Sequence, residues 1–224
     1  MNKTKRRFCV SAFLRFCVVG RDGFTLAEMI VVSTLFLVVI GALMTALLSG
    51  QTSYLSADAN VMVQEEGRRA FDTMVREVRE AGPSTGPTQI NWTGPAGSMR
   101  LNFQVARAYN AAGCPNAICW GSENADNEWV HYIVLADPTL PANNNLQLLR
   151  CVTGPGTRDV AIASTANCTG GFRVLANNAN TLNFSSPVAS VVAISLQIRY
   201  QNPRLPGGGQ VTLPLSSRVR LRNT

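Results

Sequence analysis

From Met29 to Leu48 the chain carries no charged side chain, and most of its positions are Leu, Val, Ile, Met or Ala. At 1.5 Å rise per residue this run spans roughly 30 Å, the thickness of a hydrocarbon core. It predicts a membrane-crossing helix, placed over residues 24–50. Farther on the pattern becomes amphipathic. Phe71, Met74, Val75 and Val78 follow the i, i+3, i+4, i+7 spacing of one helix face, with Glu77, Glu80 and the arginines on the other. There is no proline from Gln51 to Ala81, and Gly82-Pro83 is a helix stop. Residues 51–82 are therefore read as an extension of the same helix, its apolar stripe packing on something downstream. Gly50 and Gly67 are its weak points, each costing about 1 kcal/mol relative to Ala.

Residues 83–98 are rich in Pro, Gly, Ser and Thr and read as a loop. The period then falls to two. Met99, Leu101, Phe103 and Val105 alternate with Arg100, Asn102 and Gln104. Strand patterns follow over Trp129–Ala136, Leu146–Val152, Val188–Tyr200 and Val211–Leu221, separated by Asn, Gly and Pro clusters. Gly207-Gly208-Gly209, after Pro206, reads as a hairpin turn. No helical pattern of useful length lies between the strands, so an antiparallel sheet is expected. One long helix followed by such a sheet is an α+β arrangement, with residues 83–224 as the β domain.

The formal charge of +7 raises the question of nucleic acid. Its distribution disfavours that reading. Residues 1–23 hold Lys3, Lys5, Arg6, Arg7, Arg15 and Arg21 against Asp22 alone, and every lysine of the chain lies there. The body keeps scattered arginines: Arg68, Arg69, Arg76 and Arg79 among glutamates, then Arg218, Arg220 and Arg222 on the last strand. These read as a solvated helix face and an alternating strand. With basic residues flanking the apolar run only at its N-terminal side, residues 1–23 are expected on the cytoplasmic side and the body outside.

The junction itself reads Arg21-Asp22-Gly23-Phe24-Thr25-Leu26-Ala27-Glu28. This string, set directly on an apolar run, resembles the cleavage region of type IV pilin precursors. The resemblance implies cleavage by prepilin peptidase between Gly23 and Phe24, loss of residues 1–23, and N-methylation of Phe24. It implies a pilin-like fold, with a long N-terminal helix, membrane-spanning in its first half, packed on the β-sheet. It also implies a role for Glu28: the family's carboxylate at this place is thought to neutralise the N-terminal amine of a neighbouring subunit during assembly. A carboxylate at a membrane boundary is costly unless paired, which makes such a partner plausible. The alternative is a Glu28 that simply rests in the headgroup region. Ser33, Thr34, Gly41 and Thr45 offer small or hydroxyl surfaces for helix contact. Two other targeting readings fit less well. A secretory signal cut at Ala57-Asp58-Ala59 has too long an apolar run, and Leu14-Arg15-Phe16 before Cys17 is not a lipoprotein signal.

Within the body, Arg76-Glu77-Val78-Arg79-Glu80-Ala81-Gly82 resembles the helix end of W-type minor pilins. Ser217 to Asn223 is similar to the last strand of W-type minor pilins and J-type type II secretion pseudopilins. The implied partners are prepilin peptidase, other pilins or pseudopilins through the N-terminal helix, and an inner-membrane assembly platform. The rival reading is a membrane-anchored binding module, an adhesin or a secretion-substrate receptor, that needs no filament.

Six cysteines divide as Cys9 and Cys17 in the leader and Cys114, Cys119, Cys151 and Cys168 in the body. The last four allow three pairings, and proximity favours Cys114–Cys119 with Cys151–Cys168. Disulfides suit an exterior domain. A zinc site with His131 lacks the usual close pairs. His131, the one histidine, lies in a strand pattern and is expected to face solvent or be hydrogen-bonded. No nucleophile motif, P-loop or dinucleotide fingerprint is present, so no catalytic residue and no cofactor is assigned. The loop Glu123-Asn124-Ala125-Asp126-Asn127-Glu128 is oxygen-rich enough to suggest calcium but matches no EF-hand spacing, and a solvated loop is expected.

Overall fold

The computed structural model describes residues 24–82, 90–109, 114–115, 117–188, 190–205 and 209–222. The leader with Gly23, Cys9 and Cys17, the helix stop at Pro83, and Pro206-Gly207-Gly208 lie outside the described residues. The chain forms two compact units, Met1–Leu48 and Ser49–Thr224.

Helix α1 runs without a break over Leu26–Glu80. In the first unit its side chains are exposed throughout, and the helix is long and apolar enough to cross a membrane. The hydroxyls of this segment are satisfied inside the helix. Ser33 Oγ donates to the Met29 carbonyl at 2.8 Å, Thr34 to Val31 at 2.9 Å and Thr45 to Ala42 at 2.9 Å. Their donors are thus already used, which suits an apolar surrounding where an unpaired donor is costly.

In the second unit α1 buries Ala59, Val63, Gly67, Ala70, Phe71, Met74 and Val78. This stripe begins three turns earlier than the sequence pattern suggests, because Ala59, Val63 and Gly67 carry too little apolar bulk to register as periodic. Among the described residues ten strands follow: β1 (Ile90–Thr93), β2 (Arg100–Phe103), β3 (Val105–Tyr109), β4 (Ile118–Gly121), β5 (Trp129–Ala136), β6 (Leu146–Thr153), β7 (Gly171–Asn177), β8 (Ala179–Val188), β9 (Val191–Gln201) and β10 (Gln210–Arg220). They form three antiparallel sheets rather than the one expected, in the orders β1-β2-β5-β6-β7, β10-β9-β8 and β3-β4. The alternation from Met99 to Val105 is not one strand. It breaks at Gln104, and Val105 opens the hairpin with β4. The architecture is α+β, one long helix on antiparallel sheets.

One core joins the helix to both larger sheets. Met74 and Val78 pack with Leu101, Phe103, Val130 and Tyr132 of the five-stranded sheet and with Ile194, Leu196 and Ile198 of β9. Gly67 marks a close approach: a Cβ there would lie 2.9 Å from Ile198 Cδ1 and 3.1 Å from Leu213 Cδ2. The missing side chain that weakens the isolated helix lets it seat on the sheet.

β6 is buried on both faces. Leu148 and Val152 face α1, whereas Cys151 packs with Ile162, Cys168, Ile133 and Leu135 on the opposite side. That second face is covered by the segment after β6, which the Cys151–Cys168 pair ties back with Cα atoms 5.2 Å apart. Two-sided burial explains why Leu148-Leu149 and Cys151-Val152 set apolar residues side by side rather than in strict alternation.

Candidate functional site

The sequence directs attention first to the start of α1. Thr25 precedes the first helical residue, and Glu28 sits three positions on. Glu28 Oε2 accepts from the Thr25 backbone N–H at 2.9 Å and from its hydroxyl at 3.0 Å. Thr25 Oγ1 in turn accepts from the Glu28 N–H at 3.3 Å. This is a capping box, in which orphan donors of the first turn are satisfied reciprocally. The signature Thr-x-x-Glu is legible in the sequence and supplies Glu28 with a local task that headgroup placement and subunit pairing do not include. Phe24 is 78% exposed beside it. Gly23 lies outside the described residues.

The arginines and glutamates of the helix are not all solvated. Glu77 Oε2 accepts from Arg150 Nε and from the Tyr132 hydroxyl, each at 2.8 Å. Arg150 Nη1 also reaches Glu123 Oε1 at 3.3 Å. Burial pushes the Tyr132 hydroxyl well up, and the Glu77 charge adds to this, so it stays a donor. For Arg150, burial pulls downward but Glu77 outweighs it and the guanidinium is held charged. Glu66 Oε1 likewise accepts from the Asn177 backbone N–H at 2.8 Å and from its amide at 2.6 Å. These two glutamates bind the helix to β5, β6 and β7.

His131 is fully buried and hydrogen-bonded, not solvent-facing. Its Nδ1 lies 2.8 Å from Asn102 Oδ1 and its Nε2 2.7 Å from Thr153 Oγ1. Asn102 Oδ1 can only accept, so the neutral tautomer protonated at Nδ1 fits, with Thr153 donating to Nε2. Thr157 Oγ1 donates to Thr153 Oγ1 at 2.6 Å. Burial, then the nearby Arg100 guanidinium, pulls the imidazole down to about 3. A hydroxyl, an imidazole and an amide in line have the outline of a nucleophile triad. Here Thr153, His131 and Asn102 are 1%, 0% and 0% exposed, and an imidazole so acidic is a feeble base. The arrangement clamps β2, β5 and β6 beneath the covering segment.

The acidic loop is dispersed by its neighbours. Glu123 turns to Arg150, Asp126 Oδ1 pairs with Arg107 Nη1 at 2.7 Å, and Glu128 accepts from the Ser122 hydroxyl. Among the described residues no group of three or more His, Cys, Asp and Glu side chains is placed to hold a metal ion. Cys114 and Cys119 are paired at the β3–β4 hairpin, Cα atoms 5.5 Å apart, so neither thiol is offered to a metal.

The class defined by these features is an α+β protein with two disulfides and an N-terminal helix of membrane-crossing length. No protein-family model matches the chain, and neither a curated protein nor a solved structure matches it significantly.

Proposed function

We propose that this chain is a prepilin: a minor, structural or initiating subunit of a type IV pilus or of the related type II secretion pseudopilus. On this reading prepilin peptidase cuts between Gly23 and Phe24, and Phe24 becomes the methylated N-terminus. The exposed apolar face of α1 packs against other pilins or pseudopilins, delivered by an inner-membrane assembly platform. The β domain then stands in the periplasm or on a surface filament, where disulfides persist. The protein does no chemistry of its own. The observation that carries the reading is the junction itself. A basic leader ends at Gly23, Phe24 follows it, a single carboxylate lies in the first helical turn, and an uncharged stretch runs on to Leu48.

One observation favours the plain-anchor reading. Glu28 already closes a capping box with Thr25, and a helix that only anchors a binding module needs nothing more from it. The N-terminal residue and mass of the protein recovered from membranes decide between the two. A chain beginning at N-methylated Phe24 supports the prepilin. A chain still beginning at Met1 supports the anchor, and one beginning at Asn60 overturns both.

A further inference from the structure

The last strand carries a feature that neither reading uses. In β10 the side chains of Val219 and, just beyond it, Leu221 are buried in the core, while Arg218, Arg220 and Arg222 alternate with them and are exposed. Together with Arg79 near the end of α1 they line a cleft of about 830 Å³. The ion pairs among the described residues engage Arg107, Arg150 and Arg158, and none involves these four. Among the described residues the lining holds four guanidinium groups and no carboxylate; like charges repel one another, and an acidic ligand would relieve that.

The same strand is the edge of its sheet. Its inner side pairs with β9, and the Leu221 N–H donates to the Ser190 carbonyl at 2.9 Å. Backbone direction alternates along an antiparallel strand, so the N–H groups of Ser216, Arg218 and Arg220 point outward. Next in that row, the Arg222 N–H donates to the Arg79 carbonyl at 2.9 Å, which ends the open stretch. Pro214, two residues before Ser216, has no N–H to offer and ends it on the other side. Among the described residues nothing pairs with the outward groups of Ser216, Arg218 and Arg220.

We propose that this short open edge docks an extended acidic segment of another protein. The segment adds as a strand beside Ser216–Arg220 and sets carboxylates at alternate positions against Arg218, Arg220 and Arg222. The alternation follows from the geometry, since residues i, i+2 and i+4 of two paired strands share one face. Two features favour protein over single-stranded nucleic acid. The open N–H and C=O groups match a peptide backbone, and the lining, Arg79, Arg218, Arg220, Leu221 and Arg222, holds no aromatic ring on which a base would stack. The proposal does not depend on filament assembly.

The test uses the full chain in detergent micelles and fluorescence anisotropy. The probe is a labelled peptide with glutamates at three alternate positions between threonines. Comparators are a peptide of the same composition with its glutamates contiguous, and an oligothymidylate of equal charge. The alternating peptide is expected to bind about tenfold tighter than the contiguous one. Arg218→Ser/Arg220→Ser should abolish binding, and both positions are exposed, so the fold is kept. Ser216→Pro should weaken it severalfold while leaving the β9 ladder intact, as Pro214 already does one rung away. Absence of binding by either peptide overturns the proposal. Equal binding of both peptides reduces the site to diffuse charge and overturns strand addition, and preference for the oligonucleotide overturns the choice of partner.

Discussion

Glu77 and Arg150 lie 73 positions apart in the chain, and their side chains meet at 2.8 Å between the helix and the sheet. Arg150 is only 8% exposed in its side chain, so that contact offsets much of the cost of burying its charge. Glu77→Ala is expected to destabilise the fold by about 3 kcal/mol, because it leaves a buried guanidinium with only the exposed Glu123 as an ion-pair partner and takes the acceptor from the Tyr132 hydroxyl. Arg150→Met on that background should recover part of the loss. Urea midpoints at unchanged slope check this, and additive losses in the double variant would show that the two residues do not act as a pair.

His131 makes stability depend on pH. Its folded value of about 3 lies below the ordinary imidazole value of 6.5, so the unfolded chain binds the extra proton first. The contribution is complete above pH 6.5 and is lost as pH falls from there toward 3. Between pH 7 and pH 5 the fold should lose about 2 kcal/mol from this residue. His131→Asn should be less stable at pH 7 and should flatten that part of the curve. An unchanged slope in the variant would assign the acid sensitivity to other groups.

Gly67 tests the helix–sheet contact. Gly67→Ala gains helix propensity of about 1 kcal/mol and meets only side-chain ends, so its net effect should be small. Gly67→Leu should cost about 2 kcal/mol by overpacking against Ile198, Leu213 and Leu215. Thermal unfolding of both variants separates propensity from packing.

The Cys151–Cys168 pair closes a loop with a sequence separation of 17 residues and holds the cover over His131. Replacing both cysteines by alanine should cost about 3 kcal/mol. Hydrogen exchange should rise first at β6 and the segment after it. Equal protection there in the variant would mean that packing of Ile162 alone retains the cover.

Thr25 and Glu28 allow the two readings of the first turn to be separated. Thr25→Val and Glu28→Leu each remove the capping box, at a cost of about 1 kcal/mol. If Glu28 also pairs with a neighbouring subunit's amine, Glu28→Leu abolishes incorporation into filaments while Thr25→Val leaves it. Identical behaviour of the two variants would leave capping as the only role of Glu28. Gly23→Leu should block processing, and wild-type gel mobility would count against the prepilin reading.

Much of the fold is written locally. The uncharged run to Leu48, the stripe Phe71-Met74-Val75-Val78 and the stop at Gly82 are short-range patterns, and they suffice to place one long helix. Strand alternation and the turn residues place β5, β6, β9 and β10, because a half-buried strand shows its period in a few residues. The cysteine pairing follows from proximity along the chain. Other features could not be read this way. β7 is largely exposed and so shows little burial period, and β8 sets Asn and Ser among its apolar residues; they are strands because β6 and β9 offer them ladders. The split into three sheets, the seat made by Gly67, and the duties of Glu77, Arg150 and His131 arise from residues far apart in sequence. A side chain's partner, burial and charge state depend on what the folded chain brings beside it, and no local pattern encodes that neighbour.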